Sequence, residues 1–184
     1  MKELSLNILD IAENSVRANA TLVEISVEIN TDDDTLTITV SDNGCGMNED
    51  LLESVCDPFT TTRTTRKVGL GIPLFKEAAE ATGGQMTIAS KEGEGTMTKA
   101  VFGFSHIDRA PLGDIASTIA ALIQCNSYID FVFSYTVDSR TFNVDTRELR
   151  LILDGVSFSE PQVVCWLHDF IEQNTNEING GIKA

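Results

Sequence analysis

The residues best suited to chemistry lie in four short stretches within the first hundred positions. The first is DNGCGM, Asp42 to Met47, which follows the strand-like run LTITVSD. As a turn it needs no further purpose, because Gly accepts φ > 0 and Asx side chains cap their own backbone. It is also a fixed carboxylate beside two glycines, Gly44 and Gly46, that let a flat ligand approach the main chain. In the second stretch Asn7, Asp10, Asn14 and Arg17 recur at helical spacing and make one polar stripe. A solvated helix face would look the same. Yet Asp10 and Asn14, four apart, set a carboxylate over a carboxamide. That pair can hold a hydrated Mg2+ through the amide oxygen and orient a water or hydroxyl through the acid.

The third stretch is DPFTTTRTTRKVGLGIPL, residues 57 to 74. No acid stands between Pro58 and Lys76, while Arg63, Arg66 and Lys67 do, among five threonines. In a chain of formal charge −15 this is a local inversion. A soluble surface loop accounts for it; so does a segment ordered by an anion. Gly69, Leu70 and Gly71 then open a helix with Pro73 in its first turn, where no intrahelical N–H is lost. Glycines there expose free N–H groups at the positive end of the helix dipole, which suits phosphate oxygens. The fourth stretch, GEGT from Gly93 to Thr96, reads as a hairpin turn whose Thr96 hydroxyl could meet a ligand edge.

The elements that must position these groups follow from hydrophobic period. Residues 2 to 18 read as a helix. Val23, Ile25, Val27 and Ile29 alternate with polar residues, as do Leu36, Ile38 and Val40, so two strands are expected to form a hairpin. Asn48 reads as a helix N-cap with Glu49 and Asp50 in the first turn. A helix from Leu70 to Thr82 stops at Gly83-Gly84, and strands fit Gln85 to Ser90 and Thr96 to Phe104. After His106 the pattern restarts: a helix over Pro111 to Cys125, a hairpin from Ile129 to Val144, a short helix capped by Asp145 or Thr146, and a last helix opened by Pro161. The expected fold is α/β, a two-layer α+β sandwich with a mixed sheet covered by helices on one face. Residues 1–105 form its main domain and residues 106–184 a small α-β-β-α-α appendage of unknown role. The aromatics of that appendage, Phe131, Phe133 and Trp166, are expected in a core; the alternative is a seam in a homodimer.

Composition narrows the classes. At 42% apolar and 22% charged residues, a globular domain is favoured over disorder. The acidic balance argues against nucleic acid as the main partner. Cys45, Cys56, Cys125 and Cys165 form no C-x-x-C pair, so reduced thiols are expected rather than a metal or disulfide framework. With no secretory pattern and no run long enough to span a membrane, a cytoplasmic location is expected.

Taken together and in this order, the stretches resemble the GHKL superfamily of ATP-binding domains (the Bergerat fold), which includes gyrase-type topoisomerases, heat-shock chaperone ATPases, histidine kinases and MutL proteins. ILDIAENSVRANATLVEI resembles the asparagine box, DNGCGM the first glycine box in its MutL form, and the 57–84 segment a histidine-kinase or anti-sigma-factor lid with its second glycine box. GEGT resembles the last box. The resemblance covers residues 1 to 105 and implies roles. Asp42 would accept from the adenine amino group; Gly44, Gly46 and Met47 would lie along the base and ribose. Asn14 would ligate Mg2+, while Arg66, Lys67, Gly69, Leu70 and Gly71 would cradle the phosphates. Thr96 would touch the adenine edge through water. One departure concerns the position four before the magnesium asparagine, usually glutamate in hydrolytic members. Here it is Asp10, shorter by about 1.3 Å, which weakens it as a general base. Glu13 lies about 100° round the helix from Asn14 and is a poorer substitute.

In complete histidine kinases a long helix with the phosphoacceptor histidine comes before the asparagine box; here the box begins almost at residue 1, so self-phosphorylation in the ordinary way is not expected. His168, in WLHDF, is expected to have a packing or surface role. Three functions follow: a regulatory kinase that uses Mg-ATP to phosphorylate a partner protein, a slow ATPase switch, or a sensor of ATP or ADP.

Overall fold

The computed structural model describes residues 3–56 and 71–182. Alternation in sequence becomes alternation in burial. In β1 (Leu22–Asn30) Val23, Ile25, Val27 and Ile29 are buried while Glu24 and Glu28 face solvent. In β2 (Thr35–Asp42) Leu36, Ile38 and Val40 are buried. A strand's side-chain period of two gives one apolar and one polar face. The hairpin pairs these strands antiparallel from Val23↔Asp42 to Asn30↔Thr35.

α1 (Leu4–Arg17) precedes the hairpin; α2 (Glu49–Cys56) and α3 (Gly71–Glu80) follow it. Asn48 caps α2, its side chain accepting from Leu51 N–H at 2.9 Å. β3 (Gln85–Lys91) and β4 (Gly95–Gly103) form a second antiparallel hairpin, and β4 pairs with β2. The chain continues as α4 (Ile115–Cys125), β5 (Asp130–Val137), β6 (Arg140–Asp145), α5 (Thr146–Leu153) and α6 (Pro161–Asn179). The α-β-β-α-α order expected for the C-terminal segment is therefore present.

Its connection to the rest has no signature in the sequence. β5 runs parallel to β1 over eight residue pairs, from Leu22↔Asp130 to Ile29↔Val137. One six-stranded mixed sheet results, in the order β3-β4-β2-β1-β5-β6. The expected boundary near residue 105 thus falls inside a shared sheet. Phe131, Phe133, Tyr135 and Val137 fill the same buried layer as Ile25, Val27 and Ile29. Helices cover this apolar face, and Phe75 of α3 meets Phe102 of β4 at 5.6 Å between ring centroids.

Two expectations are corrected. The helix placed over Pro111 to Cys125 begins only at Ile115, because Asp114 is its N-cap and accepts from Ser117 N–H at 2.8 Å. The preceding residues cross the start of α1, where Pro111 and Leu112 carbonyls accept from Leu4 and Ser5 N–H at 2.9 and 2.8 Å. Glu3 makes no side-chain cap, so these carbonyls satisfy N–H groups that a helix otherwise leaves open. Trp166, expected in a core with Phe131 and Phe133, is 44% exposed and stacks on Phe170, whereas the two phenylalanines are buried.

Among the described residues, no helix is long and apolar enough to cross a membrane.

Candidate functional site

The end of β2 carries the first candidate. Because Leu36, Ile38 and Val40 point under the helices, period two sends Asp42 to that same face. Ser15 of α1 donates its hydroxyl to Asp42 Oδ2 at 2.6 Å, and Gly44 N–H donates to Oδ1 at 2.8 Å. Each carboxylate oxygen can accept twice, so the side chain is held firmly and keeps acceptor capacity for a ligand.

The rest of DNGCGM serves this placement. Asn43 Oδ1 accepts from Thr21 and Leu22 N–H at 2.8 and 2.9 Å, and its amide donates to Thr21 Oγ1 at 2.8 Å. Cys45 N–H donates to Ala18 O at 2.9 Å, and Cys45 O accepts from Gly93 N–H at 2.8 Å. The loop is thereby pinned between the end of α1 and the β3–β4 turn. A Cβ at Gly44 would sit 2.8 Å from Ala18 Cβ and 2.9 Å from Asp42 Oδ1. Gly46 has φ +63°, and a Cβ there would run into the carbonyl of Lys91. The loop's own packing requires these two glycines.

Thr96 lies directly across the ladder from Asp42, and Ser90 directly across from Thr96. The hydroxyls of Ser90 and Thr96 are 2.9 Å apart. Ser90 also accepts from Met47 N–H at 2.8 Å and donates to Gly95 O at 2.9 Å. Carboxylate and hydroxyls thus form a row on the helix-covered face, with Met47 tied to it through its main chain.

The polar stripe of α1 forms the adjoining wall. Asp10 and Asn14 are half-buried. Asn14 Oδ1 accepts from Arg17 at 3.3 Å, and Arg17 also pairs with Glu13 at 2.7 Å. A Cβ at Gly71 would lie 2.9 Å from Asp10 Cβ and 3.3 Å from Asp10 Oδ2, so the first turn of α3 is built against Asp10. Asn7, one turn earlier, is 2% exposed, and its Nδ2 has no hydrogen-bond partner among the described residues. A buried amide without an acceptor is costly.

The structure therefore brings Asp42, Gly44, Gly46, Met47 and Thr96 together, and sets Asp10 against Gly71. Arg66, Lys67, Gly69 and Leu70 lie outside the described residues. The sequence reading did not single out two groups. Ser15 follows Asn14 directly, and its place on the inner side of a helix was the available signal. Ser90 is an ordinary strand residue, and only the β3–β4 register shows its use.

Comparisons with known proteins show what the chain as a whole is similar to. The chain is 34% identical over 98 residues to sporulation kinase E of Bacillus subtilis, covering 53% of this chain and 13% of that protein. It is 31% identical over 119 residues to the cell-division control histidine kinase PdhS of Brucella ovis, covering 55% of this chain and 11% of that one. The chain spans less than a fifth of the length of the curated relatives it matches. Among solved structures, the N-terminal domain of a DNA repair protein superimposes with a TM-score of 0.55 at 14% identity, over 78% of this chain and 52% of that one. The ADP-complexed MutL ATPase domain of Aquifex aeolicus gives 0.50 at 15% identity, over 84% of this chain and 70% of that one. At such identities the likeness is one of fold. The model of the histidine kinase-, DNA gyrase B- and HSP90-like ATPases matches residues 2–106, more than half of the chain, and the chain belongs to that family.

Proposed function

We propose that this protein binds Mg-ATP between α1, α3 and the Asp42 end of the sheet and uses it to phosphorylate a partner protein. The observation that carries the reading is the fixed Asp42 carboxylate, held by Ser15 and Gly44 with acceptor capacity to spare, beside the Thr96 hydroxyl. An adenine offers an amino donor to that carboxylate, and Thr96 meets the base edge through water. Gly44, Gly46 and Met47 line the base and ribose. Asn14 supplies the amide oxygen for Mg2+, a hard ion that takes oxygen ligands. Gly71, with Arg66, Lys67, Gly69 and Leu70, serves the phosphates.

The residues at the site fit such a ligand: an acceptor for the purine and a loop that a Cβ would fill. Bound Mg-ATP would supply a γ-phosphoryl group whose transfer breaks its bond to the β–γ bridging oxygen and releases ADP. Asp10, which lies against Gly71, would take the proton of an acceptor hydroxyl; in the second reading, slow hydrolysis, it would orient water instead. Kinase relatives support the first reading; their full-length activities and partners belong to chains far longer than this one.

Titration calorimetry with ATP, ADP and GTP in the presence of magnesium tests binding. Saturable heat with adenine nucleotides is expected, and its loss in Asp42→Asn. Absence of heat for every adenine compound with the well-folded protein sinks the proposal. Labelled ATP with cell extract then separates the two readings. A specifically labelled protein supports the kinase; phosphate release that falls in Asp10→Asn, with no labelled protein, supports the switch.

A further inference from the structure

At the end of the sheet away from Asp42, a cleft of about 530 Å3 opens between the start of α4, the second half of α6 and β5. That volume is in the range of small-molecule sites. One wall is apolar, made by Leu112, Ile115, Ala116 and Ile182. At its floor Tyr135 is fully buried and donates its hydroxyl to Asn179 Oδ1 at 2.8 Å. This spends the only hydrogen of the phenol and leaves its oxygen without a donor among the described residues. Thr175, 5% exposed, likewise donates its hydrogen, to Ile171 O at 2.8 Å, and its oxygen too can accept. Among the described residues, the ionisable groups of the lining are Asp114 at the start of α4, Glu172 on α6 and the Tyr135 phenol of β5. Glu3 adds a third carboxylate against Gly113.

Among the described residues, no lysine, arginine or histidine lines the cleft. Arg109 is bonded to the carbonyls of Phe104 and Ala110; His168, outside the lining, bonds to Asp169 and stands near the Glu172 and Asp114 carboxylates, so it is the basic group with which an ammonium would compete there. Arg140 lies beyond the end of α6, beside Gly180. The cleft therefore combines carboxylates at the mouth, oxygen acceptors at the base and an apolar side. We infer that it is a binding site for a small amphipathic amine, with an ammonium group between Asp114 and Glu172 and a short apolar body against Leu112 and Ile115. An ammonium brings several donors and no acceptor, which complements these oxygens. The site is separate from the Asp42 row and does not rest on the nucleotide reading.

The test is a chemical-shift titration of the isotope-labelled protein with n-butylammonium, and with n-butanol as the neutral counterpart, near physiological salt to suppress diffuse attraction. Saturable shifts at the amides of Gly113, Asp114, Asn176 and Asn179 are expected with the amine, and binding weaker by about tenfold or more with the alcohol. Glu172→Gln should lose about the same factor. Asp114→Asn should also weaken binding while keeping a good helix cap. Asp32→Asn, which removes one charge in the distant β1–β2 turn, should change nothing. The inference is overturned if alcohol and amine bind alike, if both cleft variants retain full affinity, or if Asp32→Asn weakens binding as much as they do.

Discussion

Residues 3–106 and residues 107–182 contribute to one sheet in different ways. The first segment carries the glycines, carboxylates and hydroxyls of the Asp42 site, and each has a demand of its own: Gly46 a positive φ, Asn43 three hydrogen bonds to Thr21 and Leu22, Asp42 two. The second supplies a strand whose buried residues need only be apolar and large enough to fill the seam against β1. A site depends on atom types at fixed places, so single substitutions should abolish it. A seam depends on volume, so it yields in proportion to what is removed.

The largest effect that can test this contrast is expected at the seam. Phe133, 1% exposed and paired with Ile25, should cost about 3–5 kcal/mol when replaced by alanine. Urea unfolding followed by circular dichroism and by the single tryptophan, Trp166, should show one shared transition at lower denaturant. Two separate transitions would mean that the segments are stabilised independently. Next comes Gly46→Ala. Its φ of +63° alone costs about 1–2 kcal/mol for an L residue, and the Lys91 carbonyl adds a clash. Thermal melting should fall and ATP affinity should drop by at least about tenfold. Gly155→Ala is the control: it also has positive φ but open space around it, and should lower stability by about 1–2 kcal/mol while leaving nucleotide affinity unchanged.

A smaller effect is expected from Ser15→Ala, which removes a hydrogen bond to Asp42 without touching the ligand. Calorimetry should show about tenfold weaker ATP binding, while an unchanged affinity would mean that Gly44 N–H holds the carboxylate by itself. The smallest concerns His168 on α6. Its hydrogen bond to Asp169, with Glu172 and Asp114 nearby, raises its pKa above the usual histidine value. A pKa raised on folding means a stabilising contribution present below the unfolded pKa and lost as pH rises through the folded one. Proton-resonance titration should place the His168 midpoint above that of the unfolded chain, and Asp169→Asn should lower it.

Hydrophobic alternation made β1 to β4 legible, with the Asn48 cap and the Gly83-Gly84 stop, because these depend on residues a few positions apart. The start of α4 was misplaced because Pro111 and Leu112 lie against a helix a hundred residues earlier, and no local pattern marks that contact. Trp166 was assigned to a core for a similar reason: helical spacing names a stripe, but not whether the sheet is wide enough to cover it. Asp42, Gly44, Gly46 and Thr96 could be singled out because their residue types are unusual for a strand end. Ser15 and Ser90 could not, since serine is common in helices and strands alike and only the ladder register brings these two to the site.

The sequence by itself determined the elements, the inward face of each strand and the group of residues with chemistry to offer, since all three follow from near-neighbour spacing. Tertiary structure alone decided that β5 would lie parallel to β1 and that Ser15 would hold Asp42. It also decided that Asn7 would be buried, with no partner for its amide among the described residues, and that a carboxylate-rimmed cleft would form at the far end. Those outcomes depend on contacts between residues distant along the chain. Their energies come from packing and desolvation, which appear only when the surfaces meet.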